Sequence, residues 1–185
     1  MSATGLRVPT LLLAFFLATS AAAASDAPIR SIDIAQDSDA YVANVVMFAP
    51  VPVGVAWEVL TDFDHMAAWV PNVRESKVVA READTVTVEQ QGVAKFGLAS
   101  FPYTSVRQLQ LDPQRTVRST QIKGSMRRLE SVMTLMPDGK GTQLTYHLEM
   151  VPAGLAAAVL SKDFLKHELT EQFTAIIEEM ARRGR

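Results

Sequence analysis

Alternating apolar and polar residues dominate the second half of the chain. Residues 142–151 show this most clearly, because polar side chains separate Leu144, Tyr146, Leu148 and Met150. That period is typical of a strand with one buried and one solvated face. Six earlier segments also have strand-forming composition and end at turn residues such as proline, glycine or aspartate. The pattern therefore predicts seven antiparallel strands, over residues 41–48, 73–81, 85–91, 101–111, 116–122, 126–136 and 142–151.

Helical spacing of apolar residues marks three further segments. Short helices are predicted over residues 53–60, where Val53, Trp57 and Leu60 recur, and over residues 66–69. One long amphipathic helix is predicted over residues 155–182, because an apolar stripe runs from Leu165 to Met180. A sheet and a helix with one apolar face each bury both faces when the sheet wraps around the helix. We expect an α+β fold of this kind, with a cavity that side chains do not fill.

The first 24 residues resemble a secretory signal peptide. Arg7 precedes an apolar run over residues 8–18, and alanine occupies positions 21–24. The run is shorter than the roughly 20 residues that a membrane-spanning helix needs. We expect cleavage near Ala24 and a periplasmic or secreted protein, with an uncleaved anchor as the alternative. Residues 25–38 are small, polar and acidic and predict a flexible lead-in, so the folded domain is expected over residues 39–185.

Charge and composition narrow the chemistry. Lys and Arg number 18 against 20 Asp and Glu, and no basic run occurs, so a nucleic-acid partner is not expected. Cysteine is absent, which excludes disulfides and thiolate chemistry. The histidines His65, His147 and His167 lack metal-ligand spacing, so no metal is expected. Asp62 and Asp64 could form an acid and base pair, but helix capping is the favoured interpretation, and no catalytic residue is predicted.

Two local signatures resemble a known superfamily. Residues 49–73 combine an Ala-Pro strand end, a helix that carries Trp57, the turn Asp62-Phe63 and Trp69 shortly before a proline. The second signature is Leu135-Met136-Pro137 followed by the strand over residues 142–151. Together they resemble the helix-grip superfamily (SRPBCC) of START domains, polyketide cyclases and aromatases, and coenzyme-Q-binding proteins, over residues 40–182.

The resemblance implies a helix-grip fold, in which a curved seven-stranded antiparallel sheet surrounds the long C-terminal helix and two short helices follow the first strand. It implies an apolar small-molecule ligand and no cofactor. The chain departs from the pattern at Met133, where many relatives carry an aromatic residue. Its glycines are isolated, which argues against a phosphate-binding loop.

In such a fold the inward side chains would line the cavity, and Tyr103, Arg107 and Tyr146 would orient the ligand. Arg107 could hold an anionic head group if it points inward, or reach solvent if its strand twists. Access is expected through residues 69–73, residues 96–101 and the start of the last helix. The complete set of predicted ligand-binding residues is Phe63, Trp69, Val73, Phe96, Phe101, Tyr103, Arg107, Met133, Tyr146, Leu148, Leu165, Leu169 and Phe173.

Three functions are compatible with these features. The favoured one is an exported binding protein for a lipid, quinone or polyketide-like compound, with transient membrane contact left open. The alternatives are a cyclase- or aromatase-like enzyme and a protein-partner module with a filled pocket. Buried titratable groups in the cavity would favour the enzyme, and a closed core would favour the partner module. The oligomeric state is not predicted.

Overall fold

The computed structural model describes residues 27–96 and 99–185. Eight strands form one antiparallel sheet, and helices follow the second and the last strand. The strands are β1 (Ile29–Asp37), β2 (Ala40–Ala49), β3 (Val73–Glu82), β4 (Thr85–Phe96), β5 (Ala99–Asp112), β6 (Thr116–Gly124), β7 (Met126–Asp138) and β8 (Gly141–Pro152). The helices are α1 (Val53–Thr61), a 3-10 helix (Phe63–Ala68), α2 (Leu155–Val159) and α3 (Lys162–Arg183).

The strands lie in the order β1-β2-β8-β7-β6-β5-β4-β3. Strands β3 to β8 form a continuous meander, and the β1–β2 hairpin joins it where β2 pairs with β8. Tyr41 lies opposite Met150 and Ala49 opposite Thr142, so this pairing has no register shift. The sheet is open, and β1 and β3 are its edges.

The first strand corrects two expectations. Residues 29–37 form β1 rather than part of a flexible lead-in, and the sheet therefore has eight strands rather than seven. Ile29, Ile32 and Ile34 are partly buried against the core, while the residues between them are exposed. A two-residue turn, in which Ser38 has a φ of 54°, connects β1 to β2. The predicted signal peptide, residues 1–24, lies outside the described residues.

The C-terminal helix also differs from the prediction, because residues 155–182 are not one continuous helix. Leu160 is extended, with φ −67° and ψ 126°, and separates α2 from α3. Ser161 then caps α3, and its Oγ accepts a hydrogen bond from the Phe164 backbone N–H at 3.1 Å. A serine at the N-cap satisfies a helix donor that otherwise has no partner, which favours a new helix start here.

The core is packed solidly at one end of α3. Met47, Val59, Leu144 and Met180 are at most 1% exposed and lie between the concave face of the sheet, α1 and the C-terminal half of α3. No helix among the described residues is both long and apolar enough to cross a membrane.

Ion pairs fasten the same end of α3 to the segment after α1. Arg183 bonds both Asp62 Oδ2 and Glu179 Oε1, each at 2.6 Å, and Arg182 Nη2 lies 2.6 Å from Glu179 Oε1. Hydrogen bonds from Arg182 and then Arg183 lower the pKa of Glu179 to about 2. Asp62 is therefore part of a structural ion-pair network in addition to bonding His65.

Candidate functional site

A cavity of about 270 Å³ lies between the concave face of the sheet and the N-terminal half of α3. Ligand cavities in proteins typically span roughly 300–1,000 Å³, so this one lies near the lower end. Most of its wall is apolar: the sheet, the 3-10 helix and α3 all contribute aliphatic or aromatic side chains. These include Leu60, Phe63, Met66, Val70, Val73, Leu109, Val117, Met126, Leu129, Met133, Leu148, Met150, Leu160, Phe164, Leu165, Leu169, Phe173 and Ile176.

One part of the wall is polar and is formed by the middle strands. Their alternation turns hydroxyl, amide and guanidinium groups toward the cavity, on the same faces as the apolar residues. The register places Ser105 opposite Gln90, and Ser131 opposite Ser119, on neighbouring strands. We call this polar wall the set Gln90, Tyr103, Ser105, Arg107, Ser119, Gln121, Ser131 and Tyr146.

Arg107 is the charged centre of the polar wall. Its Nη2 donates a hydrogen bond to Gln90 Oε1, while its Nε is buried and has no hydrogen-bond partner among the described residues. Burial lowers the pKa of the guanidinium, yet arginine remains charged at any physiological pH. Ser119 Oγ is the other buried group of this wall without a partner in the described chain.

The two tyrosines of the polar wall stay protonated at neutral pH. Burial raises the pKa of Tyr103 to about 12, and it also raises the pKa of Tyr146. Tyr103 donates its hydroxyl hydrogen to the Asn72 carbonyl at 3.2 Å. The Tyr146 ring packs edge-to-face on Phe173 of α3, with ring centroids 4.9 Å apart. These tyrosines therefore act as hydrogen-bonding groups, not as bases.

Glu168 joins α3 to the two segments that face it. Its Oε2 accepts from Asn72 Nδ2 at 2.7 Å, and its Oε1 accepts from the Lys95 backbone N–H at 3.0 Å. Gln172, one turn later, donates to Asn72 Oδ1 at 3.1 Å. We call these contacts among Asn72, Lys95, Glu168 and Gln172 the α3 latch. It connects the segment before β3, the end of β4 and the start of the last helix.

The structure brings most of the predicted site residues together. Ten of them contribute to the cavity wall: Phe63, Val73, Tyr103, Arg107, Met133, Tyr146, Leu148, Leu165, Leu169 and Phe173. The side chain of Phe96 lies outside the described residues. Arg107 faces inward rather than reaching solvent along the outer face of the sheet.

Trp69 and Phe101 are placed differently from the prediction, since neither contributes to the cavity wall. The chain leaves the 3-10 helix at Phe101 lies at the start of β5 and packs edge-to-face on Phe164, with centroids 5.8 Å apart. Phe101 therefore supports the wall through Phe164.

The polar members of the site were mostly missed. Ser119 and Gln121 share the inward parity of Val117 on β6, which could have identified them. Glu168 lies next to Leu169 within the predicted apolar stripe, and its position was the available signal. Asn72 precedes a predicted strand and carries no sequence signature.

One group of potential metal ligands occurs among the described residues. His167, Glu168 and Glu171 have ligand atoms within 4.8 Å of one another. Both oxygens of Glu168 already accept hydrogen bonds in the α3 latch, and His167 lies 3.6 Å from Glu171 as an ion pair. These contacts account for the cluster without a metal.

A sheet that wraps a C-terminal helix around a largely apolar cavity defines the START-like, or SRPBCC, class of helix-grip proteins. Residues 42–184 match the family model described as polyketide cyclase / dehydrase and lipid transport, and the chain belongs to that family. The resemblance inferred from residues 49–73 and the Leu135-Met136-Pro137 signature is thereby confirmed. No curated protein matches the chain significantly.

Solved structures share this fold at low sequence identity. A Thermus thermophilus protein is 16% identical, with a TM-score of 0.67, over 78% of this chain and 99% of its own. An aromatase/cyclase from Streptomyces sp. R1128 is 19% identical, with a TM-score of 0.66, over 79% and 96%. A STAR-related lipid transfer protein from Xanthomonas axonopodis is 15% identical, with a TM-score of 0.62, over 80% and 98%. Both apolar ligand carriage and polyketide chemistry are thus represented among its structural neighbours.

Proposed function

We propose that this protein is an exported binding protein that holds a lipid, quinone or polyketide-like molecule in the cavity between its sheet and α3. The observation that carries the proposal is the cavity itself, about 270 Å³ with a mostly apolar wall. A protein-partner module with a filled pocket would not need such a space. Family membership supports the ligand class, since the family covers lipid transport and polyketide cyclases.

The cyclase-like alternative is less well supported by the groups in the cavity. General acid–base catalysis needs a group that can take up a proton near neutral pH. Tyr103 and Tyr146 stay protonated, and Arg107 stays charged. Glu168 is the one carboxylate among the described wall residues, and both of its oxygens are held in the α3 latch. These contacts favour binding over turnover.

We place the ligand entrance at the α3 latch, where Asn72, Lys95 and Glu168 meet. Apolar burial would supply the affinity, at about 0.8 kcal/mol for each buried methylene. In a series of n-alkanols, the affinity should therefore rise about fourfold per added methylene and level off when the cavity is full. A series without any rise with chain length would count against binding in this cavity.

Native mass spectrometry, with organic extraction of the bound material, tests the proposal. The protein is produced from the full chain in a host that exports it. We expect one apolar molecule per chain, and an intact mass that has lost residues 1–24. A ligand-free mass that stays unchanged after incubation with lipid and quinone extracts would refute binding, and a retained leader would refute cleavage.

A matched pair of variants on β7 locates the ligand. Met133 contributes to the cavity wall and is 6% exposed, whereas Met136 is on the opposite face and 55% exposed. Met133→Trp should fill the cavity and remove the bound molecule. Met136→Trp makes the same chemical change outside it and should leave the ligand in place. Equal ligand content in the two variants would show that the molecule binds elsewhere.

A further inference from the structure

We propose that the ligand is an amphipathic acid whose single negative charge is held by Arg107 and Ser119 in the polar wall. The proposal rests on the proposed binding function and specifies which apolar molecules the cavity selects. It starts from one imbalance: a guanidinium lies inside a largely apolar cavity without a carboxylate partner among the described residues.

A buried charge is costly unless it is paired and hydrogen-bonded. Arg107 cannot relieve this cost by losing its proton, because arginine stays charged inside proteins. Its one described side-chain acceptor is the neutral Oε1 of Gln90. The carboxylate in the same wall, Glu168, is held by Asn72 and Lys95 instead. The cavity therefore retains a net positive charge that a ligand anion can neutralise.

The two groups without partners lie next to each other. Arg107 on β5 is opposite Gln121 on β6, and Ser119 is two residues further along the same strand. Positions related in this diagonal way are about 7–8 Å apart at Cα, within reach of a long side chain such as arginine. Arg107 Nε and Ser119 Oγ are both buried and without a hydrogen-bond partner in the described chain.

The remaining polar groups around them are already occupied. Ser105 Oγ donates to Gln121 Oε1 at 3.3 Å, and Gln121 Nε2 donates to the Met126 carbonyl at 2.8 Å. Tyr103 donates to the Asn72 carbonyl. Two open donors on neighbouring strands match the two oxygens of one carboxylate. One arginine also matches one negative charge, which favours a carboxylate over a doubly charged phosphate.

Isothermal titration calorimetry with decanoate and decanol tests this assignment. The two probes have the same alkyl chain, and at pH 8 decanoate is ionised, since carboxyl pKa values lie near 4. We expect the wild-type protein to bind decanoate at least tenfold more tightly than decanol. Arg107→Met should weaken decanoate binding about 10- to 100-fold, which is the usual effect of losing a hydrogen-bonded charge, and leave decanol binding unchanged.

Ser119→Ala is a second, smaller change that keeps the test valid if Arg107→Met folds poorly. It should weaken decanoate binding several-fold, again without an effect on decanol. Arg127→Met is the matched control, because Arg127 is an exposed arginine that is paired with Asp39 outside the cavity wall. It should change neither affinity.

Equal binding of decanoate and decanol by the wild-type protein would overturn the head-group site and leave the carrier function intact. A preference for decanoate that survives both Arg107→Met and Ser119→Ala would also overturn it. Failure to bind either probe, together with a ligand-free native mass, would overturn the binding function and this inference with it.

Discussion

The α3 latch makes a quantitative prediction for Glu168→Ala. Glu168 is 8% exposed and accepts hydrogen bonds from Asn72 Nδ2 and the Lys95 backbone N–H. Removing the carboxylate leaves two donors without acceptors, and hydrogen bonds to charged groups are worth about 1.5–3 kcal/mol each. Lys95 is exposed, so its amide can regain water, and alanine favours the helix slightly. We expect a loss of about 2–4 kcal/mol in the free energy of unfolding.

Urea denaturation at pH 7 measures this loss, and hydrogen exchange adds a local readout. The Lys95 amide should exchange faster in Glu168→Ala, because its acceptor is gone. Glu178→Ala is the control, since Glu178 is an exposed glutamate of the same helix and should change stability by at most about 0.5 kcal/mol. If Glu168→Ala costs no more than Glu178→Ala, the latch does not hold α3 to the sheet and the argument fails.

Three further substitutions test other parts of the fold by urea denaturation. Arg182 and Arg183 hold the pKa of Glu179 below its usual 4.5, at about 2, so its stabilising effect is complete above pH 4.5 and is lost as the pH falls through 2. The stability difference between wild type and Glu179→Gln should shrink across that interval, and a constant difference would contradict the ion-pair network. Leu144→Ala, at a side chain 1% exposed, should cost about 2–5 kcal/mol; a cost below 1 would mean the site is not tightly packed. Ser161→Ala removes the cap of α3 and should cost about 0.5–2 kcal/mol, whereas no loss would show that the cap is dispensable.

The strands were predictable because alternation reports directly which side chains are buried. Strand β8 is the clearest case, since Leu144, Leu148 and Met150 are all buried as the pattern requires. Strand β1 was missed because its isoleucines are only partly buried and its other residues are polar. An edge strand needs less apolar surface than a central one, so its sequence signal is weaker.

The helix break was also hard to predict. An apolar stripe does not report whether the backbone is continuous, and Ser161 lies where the periodicity alone would allow a helix to pass. Its capping role depends on the extended conformation of Leu160, which tertiary packing decides. A serine before an amphipathic segment is a known start signal and deserved more weight.

The site was predictable where parity and apolar character agree. Tyr103 and Arg107 share the face of Leu109 on β5 and were placed inward for that reason. Sequence alone could not separate a buried serine, such as Ser119, from an exposed one, because both alternate with apolar residues. Trp69 was misplaced because the exit geometry of the 3-10 helix sets which residue points inward.

The pairing of β2 with β8 has a consequence for how the chain folds. Tyr41 and Met150 are partners although roughly a hundred residues separate them along the chain. The hairpin β1–β2 can form early, but it has no neighbour until nearly all of the chain is available. Contacts this distant make folding slow, because loop closure comes before the stabilising contacts. For a chain exported as we propose, slow closure would keep it unfolded long enough to be threaded across a membrane, and the cavity would form only on the far side.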